Sequence, residues 1–185
     1  MSALLTREMC QVAWSIMLPS VKEAAELGVT NKFAGVIVVL DPTKYEYPSD
    51  ELTEEDVLFT GTAWTSEEHR GNADKYRQIA LAKAKVAWRT GLPSREVQQN
   101  APFLYMDGDT KWGGSVERNG LVVAFSGVQA VFDEWIAASM AELLIAMCRH
   151  EMTKPDGVMD ADDSFIAGGL NPDYVDLPSF GPGGR

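Results

Sequence analysis

Histidine and cysteine are scarce in this chain of 185 residues, which contains two of each. A zinc site with several histidine ligands is therefore excluded, and a Ser-His-Asp triad has only His69 or His150 to use. Cys10 and Cys148 fall in helical patterns and are explained as two buried thiols in a reducing compartment. The motifs HExxH, CxxC, GxSxG, GxGxxG and the Walker loop are absent. The chemistry that those motifs carry is therefore not predicted.

Positive charge is also in deficit. Sixteen basic residues face 27 acidic ones, which gives a net charge of −11 and an isoelectric point of about 4.6. Nucleic acids and anionic membranes reward basic patches, so we expect neither as a partner. No apolar run approaches the roughly 20 residues of a membrane span, and Arg7 and Glu8 interrupt any apolar stretch near the N-terminus. These features predict a cytoplasmic protein.

The composition is otherwise that of an ordinary globular protein, with 45% hydrophobic, 9% aromatic and 23% charged residues. We predict one domain over residues 1–151, with an acidic loop at 42–56, followed by a Gly/Pro/Asp-rich tail over 152–185. Four large apolar residues are spaced along that tail as occasional anchors: Phe165, Leu170, Tyr174 and Phe180. This spacing favours a homo-oligomer in which the tail contacts a neighbouring subunit.

Hydrophobic periodicity predicts helices over 6–27, 73–90 and 128–149, and β-branched runs predict strands over 33–41 and 57–65. Asn119-Gly120 indicates the turn of a further hairpin. In the first helix Pro19 predicts a kink or a break, and the inward stripe is expected to consist of Met9, Val12, Ala13, Ile16 and Met17. The order of elements predicts an α+β fold, a three-layer α/β/α sandwich with a central antiparallel sheet.

Lys83 is the first candidate functional residue, because it interrupts the apolar stripe of the predicted helix 73–90. One reading is structural: the alkyl stem covers the core and the ammonium reaches solvent or an acid. In the other reading, the lysine lies in a partly dry pocket, where it binds a carboxylate or works with a lowered pKa. Arg89 would add a second positive group near this pocket. Asp133 and Glu134 have two interpretations, as helix caps that the helix dipole favours or as a general base.

Glycine is concentrated in the segment "KWGGSVERNGLVVAFSG", residues 111–127. Gly113 and Gly114 follow Trp112 and would let one strand bend, with main-chain N–H groups facing a ligand. Ser126 and Gly127 end the next apolar strand where a helix begins, a position that favours anions. The segment therefore predicts a site for a molecule that bears carboxylates.

The chain resembles the GlcG/HbpS-like family of small bacterial proteins, whose domain also forms the C-terminal part of PduO. The resemblance rests on "VIVVLD", "IALAKAKVAWR", "WGGSV", "VVAFSG" and "FDEWIAASMAELL", in that order, and covers residues 8–148. Three features depart from the family pattern. The loop at 42–56 is longer and more acidic, "VVAFSG" carries bulky residues where the family has glycines, and the tail is additional.

The resemblance implies a profilin-like, GlcG-like sandwich that oligomerises and binds haem, another tetrapyrrole or a different small ligand. Haem is thus a candidate cofactor, with His69 as a candidate iron ligand. The candidate ligand-binding residues are Lys83, Arg89, Trp112, Gly113, Gly114, Ser126 and Gly127.

Two hypotheses about function stay open at this point. In the first, the protein binds haem or a related carboxylate-bearing molecule. In the second, it is an enzyme that acts on a small unsaturated or aromatic-derived organic acid by proton transfer, hydrolysis or deamination. The enzyme would use Lys83 together with Asp133 or Glu134 as catalytic residues.

Overall fold

The computed structural model describes residues 4–44, 52–64 and 67–152. Helices and strands follow one another in these ranges as α1 (Arg7–Glu26), β1 (Ala34–Leu40), β2 (Val57–Trp64), α2 (Glu67–Gly71), α3 (Ala73–Thr90), α4 (Ser94–Asn100), β3 (Ser115–Arg118), β4 (Leu121–Ser126) and α5 (Ala130–Met152). Short 3-10 turns occupy Pro42–Lys44, Glu54–Asp56 and Pro102–Leu104. The predicted tail anchors and the middle of the acidic loop lie outside the described residues.

The four strands form one antiparallel sheet in the order β2-β1-β4-β3. Central strand β1 is buried along its whole length, as its β-branched sequence requires. β3 and β4 are joined by a two-residue turn in which Asn119 and Gly120 both adopt positive φ, 53° and 89°. The predicted hairpin is therefore present, and among the described strands β2 and β3 form the two edges of the sheet.

Helices cover both faces of the sheet, which confirms the predicted α+β fold and its three layers. α1 and α5 pack on one face, where the core includes Ile37, Val39 and Phe125. α3 packs on the other face, against Val36, Val38 and Leu40. No helix in the described part of the chain is both long and apolar enough to cross a membrane.

The structure corrects part of two expectations about α1. The helix continues through Pro19 without a break, and two members of the predicted inward stripe, Val12 and Ile16, are 51% and 57% exposed. Ala13 and Met17 are buried as predicted, and Cys10, Trp14, Val21 and Ala24 are buried with them. Periodicity alone does not distinguish two overlapping apolar stripes, and the larger side chain, Trp14, decides which one faces the sheet.

Trp14 is accommodated because strand β2 carries a glycine beneath it. A Cβ on Gly61 would lie 2.7 Å from the indole Cδ1, closer than real contacts allow. The indole Nε1–H donates to the carbonyl oxygen of Thr62 at 3.2 Å. α1 is thereby fixed to the outer edge of the sheet, which positions one wall of the groove described below.

Candidate functional site

Lys83 and Asp133 form a buried ion pair. The Lys83 Nζ lies 2.6 Å from Asp133 Oδ2 and also donates to the carbonyl oxygen of Phe125 at 3.0 Å. The two side chains are 2% and 4% exposed. Because α3 and α5 cover opposite faces of the sheet, the pair joins the two outer layers of the sandwich.

Gly114 leaves the space that this pair occupies. Its φ is +129°, and a Cβ there would lie 2.6 Å from Asp133 Cβ and 2.8 Å from Lys83 Nζ. The same Cβ would come within 2.9 Å of the carbonyl oxygen of Phe125. The glycine thus accommodates two of the protein's own side chains, and the space beside its backbone is filled by them.

The remaining hydrogen bonds of the pair are also made within the protein. Asp133 Oδ1 accepts from the N–H of Val128 at 3.0 Å, and the N–H of Gly127 bonds the same carboxylate. This carboxylate lies in the first turn of α5, where the helix dipole favours negative charge, and it accepts from two N–H groups that precede the helix. Burial lowers the pKa of Lys83 and raises the pKa of Asp133, while their mutual attraction opposes both shifts.

The sequence-predicted residues separate into two groups. Lys83, Gly114, Asp133 and Gly127 come together in the buried node just described, and Ser126 is buried at the end of β4 beside it. The others lie outside that node, in separate contacts. Arg89 pairs with Asp109, and Glu134 pairs with Arg95, with 2.8 Å between Oε2 and Nε. Gly113 lies against Arg95, and Trp112 is 66% exposed.

Arg89 binds groups of the protein itself. Its Nη1 donates to the carbonyl oxygen of Leu104 at 2.9 Å, and its Nη2 pairs with Asp109, whose carboxylate also accepts from the N–H of Met106 at 2.9 Å. The guanidinium therefore ties the connection between α4 and β3 to the end of α3.

His69 lies far from the glycine-rich segment. It belongs to α2, which packs on β2 and α3, whereas Gly113 and Gly114 precede β3 at the other edge of the sheet. Three inter-strand spacings separate those edges, about 14 Å. Within the described ranges, no group of three or more His, Cys, Asp or Glu residues is placed to hold a metal ion.

A groove that the sequence did not indicate lies along the outer edge of β2. Its volume is about 550 Å³, within the range of small-molecule sites. Residues of α1, β2, α3 and the turn at 54–56 line it: Arg7, Gln11, Trp14, Ser15, Leu18, Glu54, Val57, Phe59, Thr60, Gly61, Thr62 and Arg77. One signal in the sequence was Gly61, since a lone glycine within a strand marks a close approach to its backbone.

Two side chains of α1 occupy the outer edge of β2 at the groove. Arg7 Nε donates to the carbonyl oxygen of Leu58 at 3.1 Å, and Trp14 Nε1 donates to that of Thr62. Because the main-chain groups of an antiparallel strand alternate in direction, Thr60 turns its N–H and C=O the same way as Leu58 and Thr62. The N–H and C=O of Thr60 therefore face the groove, between the carbonyl groups of Leu58 and Thr62, which already accept hydrogen bonds from Arg7 and Trp14.

The charges that line the groove are two arginines and one glutamate. Arg77 Nη1 donates to Glu54 Oε1 at 2.6 Å in a two-pronged pair, which raises the pKa of Arg77 and lowers that of Glu54. In the part of the chain that the structure describes, Arg7 is in no salt bridge. The groove lining is thus net positive within a chain of net charge −11.

Comparison with known proteins gives distant similarities in structure alone. No protein-family model matches the chain, and no curated protein matches its sequence. The Klebsiella pneumoniae protein ORFY, of the family DUF336, aligns with 19% identity and a TM-score of 0.48 over 73% of this chain and 89% of its own. The Ybr137w protein aligns with 18% identity and a TM-score of 0.47 over 78% and 84%.

These similarities are too distant to carry an argument about ligand or activity. Membership of the GlcG/HbpS-like family therefore stays a prediction from the sequence motifs. We therefore infer function from the geometry of the groove and of the buried node.

Proposed function

We propose that this protein binds a small molecule that bears a carboxylate, in the groove between α1 and β2. The observation that carries the proposal is the Arg7 guanidinium, which lines a concave volume of about 550 Å³ and forms no salt bridge among the described residues. The Nε–H of Arg7 donates to the carbonyl oxygen of Leu58, and the two Nη groups remain to bind a ligand.

A carboxylate is the group that suits this lining. Arginine presents a planar set of donors that matches the two oxygens of a carboxylate. Arg7 supplies that fork, and the ion pair of Arg77 with Glu54 fixes the opposite wall. The hydroxyl groups of Thr60 and Thr62, both exposed, add neutral donors. A net positive groove on a strongly acidic surface also concentrates anions locally.

The groove favours a small organic acid over haem. Haem iron is held by His, Cys, Met or Tyr side chains, and none of these residue types lines the groove. His69 is in a separate helix and is not part of the lining. The side chains that line the groove therefore do not fit haem. The proposed ligand is a small organic acid, the other carboxylate-bearing class that the sequence predicts.

Binding is proposed in preference to catalysis by Lys83. A catalytic lysine must touch its substrate, and the Lys83 ammonium is buried with Asp133 and the Phe125 carbonyl as its acceptors. Glu134, the other predicted acid, is paired with Arg95.

The test is a calorimetric titration with matched acids and amides. Benzoate and acetate are compared with benzamide and acetamide on the wild-type chain, on Arg7→Gln and on Arg118→Gln. Arg118 is a half-buried arginine on β3, at the other edge of the sheet, where it pairs with Glu142. We expect an acid to saturate at one per chain, Arg7→Gln to weaken it about tenfold or more, and Arg118→Gln to leave it unchanged. Equal binding of acids and amides would contradict the proposal.

A haemin titration distinguishes the two ligand classes. A sharp Soret band that saturates at one haem per chain, and that His69→Ala removes, would support haem and overturn the preference stated here. We expect a broad spectrum without saturation, which indicates that haem adheres only to apolar surface, because the groove lining offers no iron ligand.

A further inference from the structure

The floor of the groove defines more of the ligand than its carboxylate. Resting on the proposed function, we propose that the ligand is an N-acylated α-amino acid. Its carboxylate binds Arg7 and the N–H of Thr60, and its amide N–H donates to the carbonyl oxygen of Thr60. The ligand thereby pairs with the sheet edge over one residue.

The open edge of β2 offers the ligand both a donor and an acceptor. β2 is an outer strand, paired with β1 on one side only among the described strands. Unpaired main-chain groups on such an edge are sites at which another extended chain adds. At Thr60, an N–H and a C=O lie side by side and face the groove. A ligand with both an acceptor and a donor satisfies the two groups, whereas a simple acid leaves the carbonyl unpaired.

The contacts on either side of Thr60 limit the length of the ligand. On either side of Thr60, the carbonyl groups of Leu58 and Thr62 already accept from Arg7 and Trp14. Extension of the ligand beyond its acyl group would have to displace Trp14, which is packed on Gly61, and extension at the other end would have to displace Arg7. The open edge therefore accepts one residue, which favours a single acylated amino acid over a peptide.

The charge and the apolar lining of the groove match the two ends of the ligand. An antiparallel pair needs the N–H and the C=O of the same residue, and in an α-amino acid the carboxylate takes the place of that C=O. Its second oxygen then faces Arg7, the groove cation that has no salt bridge among the described residues. The acyl group of a ligand antiparallel to β2 points toward Thr62, where Trp14 and Leu18 of α1 line the groove and provide apolar surface.

The decisive comparison uses two ligands that differ at one group. N-acetylglycine carries the amide N–H, and levulinate carries a CH₂ in its place with the same chain length and carboxylate. We expect N-acetylglycine to bind the wild-type chain about tenfold more tightly. Equal affinities would overturn this inference and leave the proposed function intact. Absence of binding by both acids would overturn the two together.

Variants of Thr60 test the site independently. Thr60→Pro removes the outward N–H, a change that edge strands tolerate, and Thr60→Val keeps it. We expect Thr60→Pro to weaken N-acetylglycine about tenfold and Thr60→Val to change its affinity less than twofold. Loss of affinity in Thr60→Val alone would assign recognition to the hydroxyl and overturn the main-chain role. If Thr60→Pro fails to fold, the ligand comparison above still decides.

The length limit has its own measurement. Acetyl-triglycine extends the same chemistry by two residues toward its acyl end. We expect it to bind no more tightly than N-acetylglycine, because the neighbouring carbonyls are occupied. Binding more than tenfold tighter would overturn the single-residue ligand and identify a peptide C-terminus.

Discussion

At the scale of single residues, the glycine-rich segment has a different explanation from the one that its sequence suggests. Gly114 was expected to expose backbone to a ligand. It instead makes room for Lys83 and Asp133, which meet where its side chain would be. The positions were predictable, because a charge in an apolar stripe and a glycine before a strand are both unusual. Their contact was not, because the two charged residues are 50 positions apart in the sequence.

Gly114→Ala should destabilise the fold by collision as well as by strain. Gly108 is the matched control, since it also has a positive φ, +86°, but a Cβ there meets no atom within 4 Å. We expect Gly114→Ala to lower the free energy of unfolding by about 1–3 kcal/mol more than Gly108→Ala. Urea denaturation measures both. Equal losses would show that the node has room for a methyl group.

Lys83→Met should be strongly destabilising, because it leaves the Asp133 carboxylate buried without its cation. Breaking a buried pair in this way costs about 3–5 kcal/mol. Without Lys83 the folded-state pKa of Asp133 rises further above its unfolded value. The folded variant then binds the proton more tightly than the unfolded chain, so its deficit relative to wild type is largest above the raised pKa and shrinks as the pH falls through it.

The double variant Lys83→Met/Asp133→Asn is the control for that prediction. It removes both charges and keeps a side-chain oxygen that can accept from Val128 and Gly127. We expect it to recover most of the stability lost in Lys83→Met and to lose the pH dependence of the deficit. Denaturation curves at pH 5 and pH 8 measure the free energy of unfolding of both variants. Equal losses in the single and double variants at both pH values would contradict the account.

At the scale of elements, periodicity and caps predict where helices lie better than which face they bury. Helix 73–90 was predicted with the bounds that the structure has. The sequence also predicts α1, but its predicted stripe is wrong at Val12 and Ile16, because these residues compete with Trp14 and only the sheet decides between them. The groove was beyond prediction for the same reason: α1, β2, α3 and the turn at 54–56 build it together.

Thr6 begins α1 and thereby sets the position of Arg7 in the groove. Its side-chain oxygen accepts from the N–H of Met9 at 3.1 Å. Thr6→Ala removes this cap and should cost about 1 kcal/mol of unfolding free energy. Ser15→Ala, an exposed change within the same helix, should cost less than half of that amount. A thermal melt of each variant decides, and equal losses would contradict the capping role.

At the scale of the whole molecule, one sheet separates two apolar cores, and the Lys83–Asp133 pair connects the helices on either side. The central strands β1 and β4 are buried throughout, whereas β2 and β3 are edges. Hydrogen exchange should therefore be slowest in β1 and β4, whose amides open only with global unfolding. Exchange in β3 as slow as in β1 would show that the sheet continues beyond that edge, in an assembly of subunits.

The central claim is that the ligand site is the groove at β2 and not the glycine-rich segment. Chemical-shift mapping with N-acetylglycine tests it most directly, since main-chain amides report from both places in one titration. We predict that the largest shifts fall on Thr60, Gly61 and Thr62, together with the Nε–H of Arg7. Shifts concentrated instead on Trp112–Gly114 and on Ser126 and Gly127 would contradict the account and return the site to the buried node.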